Sequence, residues 1–401
     1  MTASAQDFKA VVYTGKTTPL VKTTTVAKAA ESLQVGKNEL LVEVHACACN
    51  PTDYKHFLVG WGTAGCTVGS ELAGTVLKVG EGDGGASARF SVGDSVASFV
   101  HGGYTHNADG GAFQEYVVVP QATTLNLGRK LHGVPAAPAP ASAEGEQDVP
   151  AGSAFDTFEA ATSLPLGLTT VGLSLHHYFQ LGGTDSAKNN SQQWLLVWGG
   201  TTATGYLAVQ IAKRVYGLKV VATANKAKYG KVLEGLGADA VVDYRDSDCV
   251  EQIRSVAAGA GGIAYAYDCV SSDETFNNCY ACLREKAQGK AHLNNLLFKS
   301  PDAITSRGDK DVSFSGTLAY LAIGKDQDLN GLIVKTSEAM VKDHNEFWAL
   351  AEKLVQEGKV VHLPLSLLPH GLESAEEGLS RLQEGRVSCH KLVFSVRNDK
   401  E

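Results

Sequence analysis

The 401-residue sequence is short of several things, and each shortage excludes a class of protein. Its eight cysteines (Cys47, Cys49, Cys66, Cys249, Cys269, Cys279, Cys282, Cys389) are too sparse to staple so long a chain. A disulfide scaffold is therefore excluded, and free thiols in a reducing compartment are expected. There is no basic excess: 35 Lys and Arg stand against 43 Asp and Glu, a net charge of -8. That argues against a binder of nucleic-acid phosphates. No stretch approaches the ~18 uninterrupted apolar residues of a membrane span. The opening MTASAQDFK has no apolar signal region, and the closing VRNDKE carries no lipidation or peroxisomal motif. A cytoplasmic protein with neither nucleic acid nor membrane as partner is the expectation.

What is present is apolar material, at 44% of residues, enough for substantial cores and too much for general disorder. The length predicts two or three domains at roughly 150 residues each. The first ~130 residues hold short β-branched runs (FKAVVYT, ELLVEVHAC, GTVLKVG, DSVASFV, FQEYVVVP) broken by Gly, Asp and Pro. No helical period interrupts them, which predicts an antiparallel, barrel-like β domain. The Pro- and Ala-rich segment Gly133–Gly152 reads as a surface insertion without a packed element. From Asp156 onward strands alternate with helices of 10–15 residues, which predicts βαβ units and a parallel sheet covered on both faces. The last ~60 residues alternate again, but fold most economically back onto the first β domain.

The sharpest local feature is WLLVWGGTTATGYLAVQIAK, a buried strand, a Gly-rich turn and an amphipathic helix. Gly199, Gly200, Thr201 and Gly205 stand where a pyrophosphate approaches the backbone, and Ala203 and Thr204 open the helix with amides facing it. Thr202 occupies the middle position of G-x-G-x-x-G, so a generic strand-to-helix turn stays open as the alternative. Twenty residues after Gly205, Asn225 stands where an NAD site carries an acid, and Lys226 follows. A 2′-phosphate suits a cation without a carboxylate, which favours NADPH while leaving NADH open.

The segments CNPTDYKH (Cys49–His56), GSELAGTVLKVG, GDSVASFVHGG, GAFQEYVVVP, LPLGLTTVG, WGGTTATGYLAVQIAK and YDCVS run in order along nearly the whole chain. Through them the chain resembles the zinc-independent medium-chain dehydrogenases/reductases, above all quinone oxidoreductases and fungal trans-acting enoyl reductases. The resemblance implies an α/β fold. A GroES-like β-rich domain in two pieces (1–165 and 343–401) would flank a Rossmann domain (166–342). It implies that Asn50 and Thr170 line the cofactor cleft, with Thr170 near the nicotinamide. Lys226 and Tyr244 would meet a 2′-phosphate, and Cys269 and Val270 would wall the ribose and adenine.

Zinc-dependent relatives carry a cysteine where this chain has Asn50 and a histidine where it has Ser70, and their four-cysteine lobe has no counterpart here. The resemblance therefore implies no metal. Without one, the natural chemistry is hydride delivery to an activated C=C bond of an enoyl, enone or quinone acceptor. Lys55 and Tyr54 are the catalytic candidates at the cleft lip, against the plainer readings of surface lysine and packing tyrosine. Gly60-Trp61-Gly62 stands where mitochondrial-type enoyl thioester reductases carry a proton-donating tyrosine, so water or another group would protonate the product. Two alternatives stay open: a reductase of reactive aldehydes or other carbonyls, and a catalytically silent nucleotide-binding protein. The expected partner is a small-molecule substrate, free or held by a carrier or synthase, with monomer and homodimer both open. His101 and His106 read as ordinary loop histidines.

Overall fold

The computed structural model describes residues 7–81, 89–134, 147–183, 188 and 190–396. The chain divides into two compact units. The first comprises residues 1–166, 320–341 and 348–401; the second comprises 167–319 and 342–347. The expected boundaries were 165/166 and 342/343, so residues 320–341 group with the first unit instead of the inserted one. The reason lies in the run VSFSGTLAYLAIG, which is strand only to Gly316. It then tightens into a 3-10 turn at Ala319–Ile323, which ends the strand–helix alternation.

In the first unit, β1 (Phe8–Tyr13) and β2 (Val21–Val26) form an antiparallel pair. The larger sheet uses β3 (Glu39–Ala48), β4 (Glu71–Val79), β5 (Ser95–Phe99), β6 (Tyr116–Pro120), β7 (Thr124–Asn126) and β8 (Gln147–Val149). Two C-terminal strands, β17 (Leu365–Leu368) and β18 (Lys391–Ser395), complete it in the order β7-β5-β4-β3-β18-β17-β8, with β6 also on β3. β18 runs antiparallel to β3, so the last residues do return to the first β domain. Val42, Val44, Leu72, Val96, Phe113 and Phe394 are buried in its core.

Two features depart from the sequence reading. β8 pairs antiparallel with β17 inside the segment expected to carry no packed element. Its residues Gln147, Asp148 and Val149 lack proline and so keep their amide donors; residues 135–146 of that segment lie outside those described. The second departure is the helix Pro51–Leu58 within the β domain, whose eight residues are too few to show a helical period. It is set by its start: Pro51 opens it, and the Asp53 carboxylate accepts the Asn50 N–H at 2.8 Å.

The second unit holds a six-stranded sheet: β9 (Trp194–Trp198), β10 (Lys219–Ala224), β11 (Ala240–Asp243), β12 (Ile263–Asp268), β13 (Ala291–Asn295) and β14 (Val312–Gly316). Every pairing is parallel, in the order β11-β10-β9-β12-β13-β14. The continuous apolar run of β9 is buried along its length, as a strand covered on both faces requires. The strand order reverses between β9 and β12, and ligands of such sheets gather at the strands' C-terminal ends at that point. The pair β15 (Gln327–Leu329) and β16 (Leu332–Val334) is a hairpin of the first unit. Cys279 and Cys282 are buried on the helix Asp273–Cys282. Among the described residues, no helix is long and apolar enough to cross a membrane.

Candidate functional site

The Gly-rich turn lies at the C-terminal end of β9, at the reversal point. Gly199 has φ +86°, a conformation that favours glycine. Gly205 starts the helix Ala203–Arg214 so close to the strand that a Cβ would lie 2.2 Å from the Gly199 carbonyl oxygen. The Thr202 hydroxyl caps this helix: it accepts the Gly205 N–H at 3.0 Å and donates to the Gly199 carbonyl at 2.9 Å. The substitution that broke the glycine motif therefore supplies the cap. Thr223, near the end of β10, fixes the turn from below by accepting the Gly199 N–H on its hydroxyl and the Gly200 N–H on its carbonyl. Thr201, Ala203 and Thr204 stay partly exposed, and the first helical amides have no intrahelical acceptor. These residues fit a dinucleotide pyrophosphate.

Around the turn the second unit gathers most of the residues picked from sequence. A Cβ on Gly199 would lie 2.9 Å from Val270 and 3.9 Å from the Cys269 Cβ, so these two do flank the turn. Asn225 caps the helix Lys226–Leu236, its side-chain oxygen accepting the Lys228 N–H. At the end of β11, Asp243 accepts from the Lys226 amide at 3.0 Å, and from Arg245 Nε at 2.8 Å and Nη2 at 2.6 Å. The Arg245 hydrogen bond holds that carboxyl well below the usual carboxylate range. Lys226, Tyr244 and Arg245 are exposed, which sets two cations beside an aromatic ring at the ends of β10 and β11. Arg245 was missed in the sequence, although its place after Tyr244 in VVDYRD was a usable signal. Thr170 is buried, and its carbonyl accepts from the Ser174 hydroxyl, which also pairs with Thr317 at 2.8 Å.

In the first unit, Asn50 does not stand open. Its amide nitrogen donates to the Ala48 carbonyl at 3.1 Å and to Glu71 Oε2 at 3.0 Å, while its oxygen accepts from Lys391 Nζ at 2.5 Å. Lys391 also pairs with Glu71 Oε2 at 2.7 Å, and Glu71 Oε1 accepts the Leu166 N–H at 2.7 Å. Ser70 donates to Asp53 Oδ1 at 2.7 Å. Asn50, Asp53, Ser70, Glu71 and Lys391 are all buried. The donor set does not fit a zinc ion: an amide and a hydroxyl replace thiolate and imidazole, and an ammonium already neutralises the carboxylate. Lys391 escaped the sequence reading because no local motif marks a lysine 320 residues from its partner.

A second buried chain adjoins this one. His56 Nδ1 lies 3.0 Å from the Gly102 carbonyl, which only accepts, so Nδ1 carries the proton and Nε2 is an acceptor. The Thr52 hydroxyl at 3.1 Å must then donate to Nε2, and Tyr320, 2.7 Å away, must donate to Thr52. His101 is no ordinary loop residue. Its ring stacks between Tyr104 and Tyr320, with Nδ1 2.8 Å from Gln327 Oε1. His106, by contrast, is exposed, 3.3 Å from Asp328. Burial pushes Tyr320 up and His56 down to about 4, so the chain holds its protons fixed across the neutral range. Of the two catalytic candidates, Lys55 is partly exposed with its ammonium pKa lowered by burial, and Tyr54 packs half-buried on the apolar core.

Replacing Lys391 by Met leaves the fully buried Glu71 carboxylate without its cation, and is expected to cost about 3–5 kcal/mol of unfolding free energy in a urea titration. Burial pushes Asp53 up to about 7, against roughly 3.9 in an unfolded chain. The native state thus holds that proton more tightly. The group's contribution is full below about pH 4 and is lost as pH rises through about 7. Asp53→Asn removes this slope, so thermal melts should shift in the variant's favour, relative to wild type, from pH 5 to pH 8. An unchanged difference would refute the assignment.

Comparison with known proteins agrees with this geometry. Residues 36–129 match the alcohol dehydrogenase GroES-like domain family, and residues 203–322 match the zinc-binding dehydrogenase family. The uncharacterized protein YNL134C of Saccharomyces cerevisiae is 30% identical over 89% of this chain and 91% of its own. The trans-enoyl reductase resD of Aspergillus sclerotiorum is 31% identical over 89% and 92%. The quinone oxidoreductase structure from Coxiella burnetii shares the fold at a TM-score of 0.63 and 20% identity, over 98% of this chain and 100% of that one. With its GroES-like and Rossmann units, the chain belongs to the medium-chain dehydrogenase/reductase superfamily.

Proposed function

We propose that the protein is an NADPH-dependent reductase that adds hydride to an activated C=C bond without a metal. The observation that carries the reading is that Asn50 and Ser70, where the resemblance puts zinc ligands, are buried and bound to other side chains, Asn50 to Glu71 and Lys391 and Ser70 to Asp53. Lacking a Lewis acid, the site suits an acceptor whose own carbonyl collects the charge, as in an enone, quinone or enoyl thioester. The trans-enoyl reductases among the relatives support the same acceptor class. When bound, the nicotinamide cofactor supplies the hydride.

The chain's own residues have separate tasks in this reading. The turn Gly199–Gly205 and the amides of Ala203 and Thr204 hold the pyrophosphate, and Lys226, Tyr244 and Arg245 frame a 2′-phosphate. Thr170, Cys269 and Val270 line the cofactor site, and Asn50 serves as a positioning residue that fixes Lys391 and Glu71. Lys55 offers an ammonium to a substrate or cofactor oxygen, its lowered pKa easing proton donation. The Tyr320–Thr52–His56 chain orients without titrating, so the carbon-bound proton comes from solvent. The substrate is a small molecule, free or carrier-bound. β14, the edge strand of the parallel sheet, offers a surface for a homodimer beside the monomer alternative.

Two measurements test the reading. NADPH should bind more tightly than NADH in a fluorescence titration, and Arg245→Ala should weaken NADPH by about tenfold or more while leaving NADH nearly unchanged. Tighter NADH binding would overturn the cofactor assignment. On a panel of enals, enones, quinones and saturated aldehydes, product analysis should show C=C reduction that persists after chelation. Turnover of saturated aldehydes alone would favour the carbonyl-reductase reading, and none with any acceptor the binding-protein reading.

A further inference from the structure

The second unit contains a donor cluster that the reductase reading does not use. Residues Leu173–Tyr178 form a π-helix, a form frequent at functional sites, and His176 and His177 lie in its last turn. Both face one turn of the helix Glu338–Gln356: His177 Nδ1 lies 2.7 Å from Asp343 Oδ2, and His176 Nε2 lies 3.5 Å from Glu346 Oε2. One ligand atom each from His176, Asp343 and Glu346 lies within 4.8 Å of the other two. We propose that these three residues bind a divalent transition-metal ion of the zinc type, with water completing the coordination and His177 holding the Asp343 carboxylate in place.

The His176–Glu346 distance suits a shared ion better than a direct hydrogen bond. Ligands about 2.0–2.2 Å from a tetrahedral zinc lie roughly 3.3–3.5 Å from each other. The His176–Glu346 separation already has that value and is long for a hydrogen bond. Asp343 and Glu346 are three residues apart on a helix and so share a face. His176 Nδ1 meets the Tyr216 hydroxyl at 3.0 Å. With Nδ1–H donating to that phenol, Nε2 keeps its lone pair on the Glu346 side, the outer-shell arrangement usual for a ligating histidine. Glycine at 182 keeps this edge clear, since a Cβ there would lie 2.5 Å from Nε2. Two carboxylates beside an imidazole favour a dication, and the nitrogen donor selects zinc-like ions over calcium or magnesium. The competing cation, Lys342 at 3.6 Å from Glu346 Oε1, is an exposed and weak partner.

The test uses the full chain, stripped with a chelator and dialysed, then titrated with Zn2+ by calorimetry and with Co2+ by visible absorption. One saturable equivalent, the ligand-field bands of low-coordinate Co2+ with nitrogen and oxygen donors, and a melting temperature raised by Zn2+ are expected. Glu346→Gln sits at an exposed position and preserves shape. It should weaken binding by about tenfold or more and remove the thermal shift, and His177→Gln should weaken binding by about tenfold with the Co2+ bands retained. No saturable binding at micromolar Zn2+ would overturn the proposal. So would equal affinity in wild type, Glu346→Gln and Asp343→Asn, which would place the ion elsewhere.

Discussion

The first unit depends on one ammonium group sealed among oxygens. Lys391 enters from the last strand of the chain and meets Glu71 on β4 and Asn50 at the start of the helix Pro51–Leu58. A charge cannot be buried unless its partners are fixed around it, so this pair constrains every element that contributes to it. β18 must lie beside β3, the helix must begin at Pro51, and Leu166 must bring its amide to the other Glu71 oxygen. Asp53 is drawn into the same pocket because it closes the helix start, and its burial is the cost of that placement. An apolar residue at 391 would pack in the same volume but would strand Glu71, so lysine and glutamate are interdependent.

The second unit is organised around a different constraint, the close approach of a helix to the end of a strand. The sheet order puts β9 beside β12 where the winding reverses, and Gly205 lets the helix begin almost on the strand. The turn is then pinned twice, by Thr202 within it and by Thr223 beneath it. Thr202, a departure from the sequence motif, proves to be the residue that satisfies the helix end. A glycine there would free the backbone but lose the cap.

Much of this was legible because it is local. The strand–turn–helix around Gly199 announces itself in consecutive residues, as do the alternating elements of the parallel sheet and the Asn225–Lys226 pair. The helix Pro51–Leu58 and β8 were not legible, because eight and three residues leave no period to detect. Residues 320–341 were misassigned because apolar character alone does not separate a strand from a 3-10 turn. The long-range polar groups were the least legible. Lys391 looks like any lysine opening a strand, and His101 like any histidine in a Gly-rich loop, until partners distant in sequence (Glu71 for one, Gln327 and Tyr320 for the other) surround them.

The two buried or half-buried carboxylate–cation pairs show how exposure decides what a charge can do. A lysine ammonium has three donors, and Lys391, almost wholly buried, directs its charge to Glu71 and Asn50. It has no path to an incoming anion and can act only by holding its neighbours. A guanidinium has five N–H donors, and Arg245 gives two of them to Asp243. Its side chain is half exposed at the end of β11, and Lys226 and Tyr244 are exposed as well. The Asp243 carboxylate therefore aims Arg245 without consuming it, and because the pair is neutral, Lys226 adds a net positive charge. A net positive charge beside an exposed guanidinium favours an anionic ligand over a neutral one.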